Sequence, residues 1–137
     1  MQYPNQLRRH QLRELIAAGE STTVEFKRKF TSADKIAREI IAMANTAGGY
    51  LLVGVDDDGT IIGVESEKEV EGQIRGAMAT VVPELPVLME VVEIEWKDVL
   101  IIRIPVSSTK PHRQIGDDPE EKPHERKAYI RTGEHSV

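Results

Sequence analysis

Apolar positions in this chain fall into short runs whose spacing changes along its length, and each change marks an element. Over 5–18, Leu12, Leu15 and Ile16 recur at i, i+3 and i+4, and Gly19 follows, which predicts a helix with a glycine stop. Val24-Glu25-Phe26 then alternates, so a short strand would turn Val24 and Phe26 inward and Glu25 and Lys27 outward. Ile36, Ile40, Ile41 and Ala44 restore the helical stripe over 33–46. Ser32 is placed to cap that helix, Asp34 suits its positive first turn, and Gly48-Gly49 ends it.

Tyr50–Val55 is apolar throughout except for Gly54, the pattern of a strand covered on both faces. Asp57-Asp58-Gly59 is turn chemistry, and the return over Thr60–Val64 predicts a hairpin. Ser66 and Glu69 form a capping box ahead of a helix over 67–80, striped by Val70, Ile74, Ala77, Met78 and Val81 and ended by Pro83 and Pro86. Val87–Glu95 and Val99–Ile104 flank Trp96-Lys97-Asp98 as a second hairpin. Residues 107–126 bear prolines and charges of both signs and read as a loop, and Lys127–Arg131 reads as a last strand. The order predicts an α+β fold with about three helices and a mixed, mostly antiparallel sheet. With 137 residues and no linker or repeat, it is expected to be one domain over 1–137.

Composition narrows the function classes. The 39% apolar and 30% charged residues are those of a globular domain, and no run of about 18 apolar residues could span a membrane. The first residues lack the apolar core of a secretory signal, and cysteine is absent, which removes disulfides and thiolate metal sites. A cytoplasmic location is the expectation.

The net charge of −5 is unevenly spread. Residues 1–38 carry eight Lys/Arg against four Asp/Glu, residues 39–106 carry four against thirteen, and residues 107–137 carry six of each. Only the first segment therefore offers an electrostatic footprint for nucleic acid, and a dipolar solvated surface would look the same.

No phosphate-binding loop is present, because Gly48-Gly49 leads into a strand instead of opening a helix. Glu20, Glu25 and one aspartate of Asp56-Asp57-Asp58 are the candidate carboxylates for Mg²⁺ or Mn²⁺, which favour oxygen ligands shared with phosphate. Fully extended chain would separate Glu20 from Glu25 by roughly 17 Å, so a shared site needs a bend at Ser21–Thr23. Solvated turn carboxylates are the alternative. Lys27-Arg28-Lys29 would neutralise phosphates or simply end a strand in solvent. His112, His124 and His135, near Lys110, Arg113, Arg126, Lys127 and Arg131, would serve phosphate contact or acid–base work, or stand as solvated loop residues. One Trp, three Tyr and two Phe leave little for a base-stacking platform.

Three ordered motifs carry a resemblance: Glu20-Ser-Thr-Thr-Val-Glu25-Phe-Lys, Ala44-Asn-Thr-Ala-Gly-Gly-Tyr-Leu-Leu-Val-Gly-Val-Asp-Asp-Asp58, and Ala128-Tyr-Ile-Arg-Thr-Gly-Glu134. Over roughly 13–137 the chain resembles the Schlafen-type, Alba-like DNA-binding domain. The resemblance implies nucleic-acid binding in the N-terminal part of a longer protein of transcriptional-regulator type; together with the basic first segment, it makes Lys27, Arg28, Lys29, Lys110, Arg113, Lys127 and Arg131 the expected contacts. Some animal members cleave transfer and ribosomal RNA with two glutamates and an aspartate. By motif these match Glu20, Glu25 and Asp56, with Asp57 as the fallback, which implies a Mg²⁺- or Mn²⁺-dependent endoribonuclease as the alternative function. The animal enzymes pair two such modules, so catalysis by a single module would need a homodimer. A non-catalytic oligomerisation or protein-interaction domain is the third reading.

Overall fold

A computed structural model describes residues 6–114 and the strand backbones at 127–128, 131–132 and 135–136. Strands β1 (Val24–Lys27), β2 (Gly49–Val53), β4 (Leu88–Ile94) and β5 (Lys97–Ile104) form one sheet in the order β1-β2-β5-β4. The β1–β2 pair is parallel and the other two pairs are antiparallel, so the sheet is mixed and mostly antiparallel. Helix α2 (Ala33–Ala44) supplies the crossover that a parallel pair needs.

The register explains the continuous apolar run in β2. Leu51 and Val53 pair with Ile102 and Leu100 and face Ile36, Ile40 and Ile41 of α2 and Ile74 of α3 (Glu67–Met78). Leu52 pairs with Ile101 and faces Leu12 and Leu15 of α1 (Arg9–Ala18), together with Val24 and Phe26. The sheet is thus sandwiched between α1 and the α2–α3 pair, which is the α+β architecture expected. Ser32 caps α2 as its position suggested, accepting from the Lys35 N–H at 3.4 Å.

Several local expectations are corrected. Thr60–Val64 does not return as a strand, and only a Val55–Ile61 bridge forms. Both edges of β2 are already taken by β1 and β5, so the returning chain has no partner groups left. It closes instead as a tight turn, with Asp56 N–H on Thr60 O at 2.8 Å and Gly54 O accepting from Ile62 and Gly63.

Ser66 makes no side-chain cap. It sits at φ 55°, outside the extended conformation an N-cap side chain uses, and its carbonyl accepts from Glu69 and Val70. Within the expected 107–126 loop, β6 (Arg113–Gln114) joins β3 (Val81–Val82) and β7 (Lys127–Ala128) in a second small sheet. Of the expected final strand, Lys127–Ala128 form β7 and Arg131 belongs to β8 (Arg131–Thr132), which pairs with β9 (His135–Ser136) against α2. Residues 115–126, 129 and 130 lie outside the described residues.

Candidate nucleic-acid interface

The bend that Glu20 and Glu25 require is present. Ser21 and Val24 form an antiparallel bridge, and the Ser21 hydroxyl accepts from the Thr23 N–H at 3.2 Å. Gly49 makes the bend fit: at φ 129°, a Cβ there would stand 2.0 Å from Thr23 O. No side chain could occupy that space, and the close approach lets Tyr50 N–H reach Thr23 O at 2.8 Å. The carbonyls of Thr23 and Lys27 turn toward β2, so the Phe26 N–H between them points to the open edge of β1. The Glu20 carboxylate returns to that edge and accepts it at 3.3 Å.

Glu25 and Lys27 alternate out of the α1-side core, as the strand period predicts, and face α2. The Lys27 ammonium lies 2.5 Å from Glu39 of α2 and 3.8 Å from Glu25. Glu39 is only 9% exposed, and among the described residues its Oε2 has no hydrogen-bond partner. Burying a carboxylate is tolerable only with a charge partner, and Lys27 is that partner.

One residue beyond β1, Arg28 Nε stands 3.8 Å from Asp56 Oδ2, and both groups are open to solvent. Asp56 also accepts from the Asp57 N–H at 2.8 Å. Asp58 accepts from the Thr60 N–H at 2.9 Å, and its carboxyl is held below the ordinary 3.8, chiefly by the Thr60 side chain and then by the Thr60 backbone. Of the three aspartates, Asp56 is the one set against the chain leaving β1, while Asp58 serves its own turn.

Glu20 goes to a backbone N–H, Glu25 to Lys27 and Asp56 to Arg28, and among the described residues no group of three or more His, Asp or Glu is gathered to hold a metal ion.

The family model "Schlafen, AlbA_2" matches residues 20–137. The chain belongs to the Schlafen, AlbA_2 family. Among solved structures, the N-terminal domain of a protein from Nitrosomonas europaea, named as related to the ATP-dependent DNA helicase RecG, is similar at 25% identity and TM-score 0.64. That match covers 85% of this chain and 86% of the other. The DIP2311 protein of Corynebacterium diphtheriae shares the fold at 22% identity and TM-score 0.63 over 93% of this chain, which spans a quarter of that protein's length.

In this Schlafen, AlbA_2 domain the family match opens on Glu20, and α1 precedes it. Arg28 and Lys29 are exposed where β1 ends, whereas Lys27 is engaged by two carboxylates. Lys110 is exposed and Arg113 half-buried. In the small sheet, Arg113 is in register with Ala128 and Lys127 with Gln114, so the two basic positions are neighbours on adjacent strands. Arg131 is on β8, in the separate two-stranded sheet.

His112 corrects an expectation. It is 1% exposed, its Nδ1 meets Pro83 O at 2.7 Å, its other ring nitrogen meets the Ser107 hydroxyl, and its backbone exchanges two hydrogen bonds with the Asn45 amide. The backbone bonds tie the chain before β6 to the end of α2, and the ring, engaged in the interior by Pro83 and Ser107, is not available to phosphate. His124 lies outside the described residues, and His135 lies on β9.

Two residues escaped the sequence reading. Glu39 falls three residues after Ile36, within the apolar stripe of α2, and a carboxylate on a buried stripe signals a buried partner. Trp96, counted only as a turn residue, is 94% exposed.

Proposed function

We propose that this domain binds nucleic acid through its phosphates, with Arg28 and Lys29 as the primary contacts and Lys110, Arg113, Lys127 and Arg131 as secondary ones. The reading fits a DNA-binding module of a transcriptional-regulator-like protein. The observation that carries it is the exposure of Arg28 and Lys29 just beyond the carboxyl end of β1, which pairs in parallel with β2. Open α/β sheets take ligands at the carboxyl ends of such strands. Family membership and the RecG-related neighbour support it. Lys27 is left out of these contacts because its ammonium lies against Glu39 and Glu25.

Fluorescence anisotropy on labelled duplex DNA and structured RNA, titrated with salt, is the test. Binding is expected near 50 mM salt, with log affinity falling by about 0.7–0.9 per phosphate contact for each decade of salt. Absence of binding to either nucleic acid at that salt overturns the proposal.

The second reading is a Mg²⁺- or Mn²⁺-dependent endoribonuclease. One observation favours it: the Ser21–Val24 bend folds Glu20 back onto the strand that bears Glu25. Metal-dependent cleavage of structured RNA that disappears in both Glu20→Gln and Glu25→Gln supports it. Intact RNA over hours with either ion excludes it.

A further inference from the structure

Trp96 sits where neither packing nor backbone preference explains it. It is the only tryptophan of the chain and is 94% exposed at the tip of the β4–β5 hairpin. Glu95 and Trp96 form the two-residue turn with φ of 53° and 64°. A turn with both central residues at positive φ is built by Asn-Gly or Gly-Gly at little cost, whereas a bulky side chain there is strained. The position therefore combines an unfavourable backbone conformation with a large apolar ring in water. Residues held so are concentrated at binding sites.

The surroundings indicate what the ring meets. On one side Trp96 borders a groove of about 760 Å³ that also holds Lys29, Lys97 and Gln73. On the other it borders a smaller hollow of about 210 Å³ with Arg9 and Arg13 of α1. Carboxylates are interspersed on both sides: Glu65, Glu69 and Asp98 in the groove, Glu93 and Glu95 at the hollow. Cations and anions nearly balance, so charge alone would not retain a polyanion at the ring. A π-face offers an attraction that needs no net charge, with cations beside it for a backbone. Lys29 belongs both to this groove and to the phosphate contacts proposed above, so a strand bound at Arg28 and Lys29 has a continuous path to the ring.

We infer that Trp96 is a stacking platform for an unpaired base of single-stranded nucleic acid, whose backbone runs from Arg28 and Lys29 through the groove. This rests on the nucleic-acid reading and specifies its substrate class. Bases in a duplex are stacked on one another and do not offer a face, so a strand end, loop or unwound segment is required.

Because Trp96 is the only tryptophan, its emission reports on this position alone. The experiment titrates the protein with a ten-nucleotide oligothymidine and with a duplex of equal length, following Trp emission, and repeats the binding by anisotropy on Trp96→Ala and Trp96→Phe. Saturable quenching by the single strand but not the duplex is expected. Affinity should fall about tenfold in Trp96→Ala and be largely retained in Trp96→Phe. The salt slope should be unchanged in both and reduced in Lys29→Ala. Circular dichroism verifies that the variants fold.

If the oligonucleotide binds the wild type and Trp96→Ala equally and leaves emission unchanged, the inference fails while phosphate binding stands. Equal quenching by duplex overturns the single-strand requirement. If no nucleic acid binds at low salt, both readings fail, and Trp96 is better assigned to a protein partner.

Discussion

Lys27 of β1 and Glu39 of α2 form an ion pair at 2.5 Å that links the first strand to the helix covering it. The lysine side chain is 22% exposed and the glutamate 11%. Glu25, one position along the same face of β1, shares the ammonium at 3.8 Å. A basic residue that sequence position assigned to phosphate is thus held in place by two carboxylates.

Removing one partner leaves the other buried without compensation. Lys27→Met should cost about 2–4 kcal/mol, toward the lower end because solvent reaches part of the lysine. The double variant Lys27→Met/Glu39→Leu should recover most of that loss. Urea denaturation of the single and double variants checks it. A double variant as unstable as the single one would show that the pair is not what holds Glu39.

Gly49 and Gly72 should respond oppositely to alanine. Gly49→Ala drives a methyl into the Thr23 backbone and should cost about 3 kcal/mol. Gly72 lies on the exposed side of α3 with no atom within 4 Å of a built Cβ, so Gly72→Ala should stabilise by about 0.5–1 kcal/mol. Denaturation midpoints read both. Loss of oligonucleotide binding in Gly49→Ala, beyond its loss of stability, would tie the bend to function.

Replacing Arg28 and Lys29 together by alanine should reduce the dependence of log affinity on log salt by about 1.4–1.8, two contacts' worth, with unchanged stability. An unaltered salt slope would remove these residues from the interface.

His112→Ala should unfold more readily by about 2–4 kcal/mol, because the Ser107 hydroxyl and the Pro83 carbonyl lose a buried partner. Nucleic-acid affinity of the folded fraction should not change. Reduced affinity at unchanged stability would return His112 to the interface.

The Asp58 carboxyl is held below 3.8 in the folded chain, so its folded value is depressed relative to the unfolded one. Its contribution to stability is complete above the unfolded value and is lost as pH falls through the lowered folded value. NMR titration of the carboxyl carbons should place Asp58 below 3.8. Thr60→Val should raise it part of the way, since the Thr60 N–H, at 2.9 Å, remains. A wild-type midpoint at or above 3.8 contradicts the assignment.

Periodicity by itself determined much of this protein. The stripe Ile36, Ile40, Ile41 located α2, and Ser32 located its cap, because both signals act within a few residues. The unbroken apolar run at Tyr50–Val53 announced a strand with both faces buried, and the layers around β2 show why. Three ordered motifs placed the family. Partnering lay beyond such signals. Thr60–Val64 has the residues of a strand but no edge of β2 left to join, and sheet order is a property of the whole chain. His112 and Lys27 looked like surface chemistry, and both are engaged by residues remote in sequence, such as Pro83 and Glu39. Trp96 was legible only as a turn residue. Its exposure and its place between two hollows of mixed charge depend on the packing of α1, β1 and the β4–β5 hairpin around it. Local sequence therefore determined elements and their caps, since those energies arise within a turn or two. Tertiary structure alone decided which charges are neutralised and which surface is left to bind, since those depend on groups that only folding brings together.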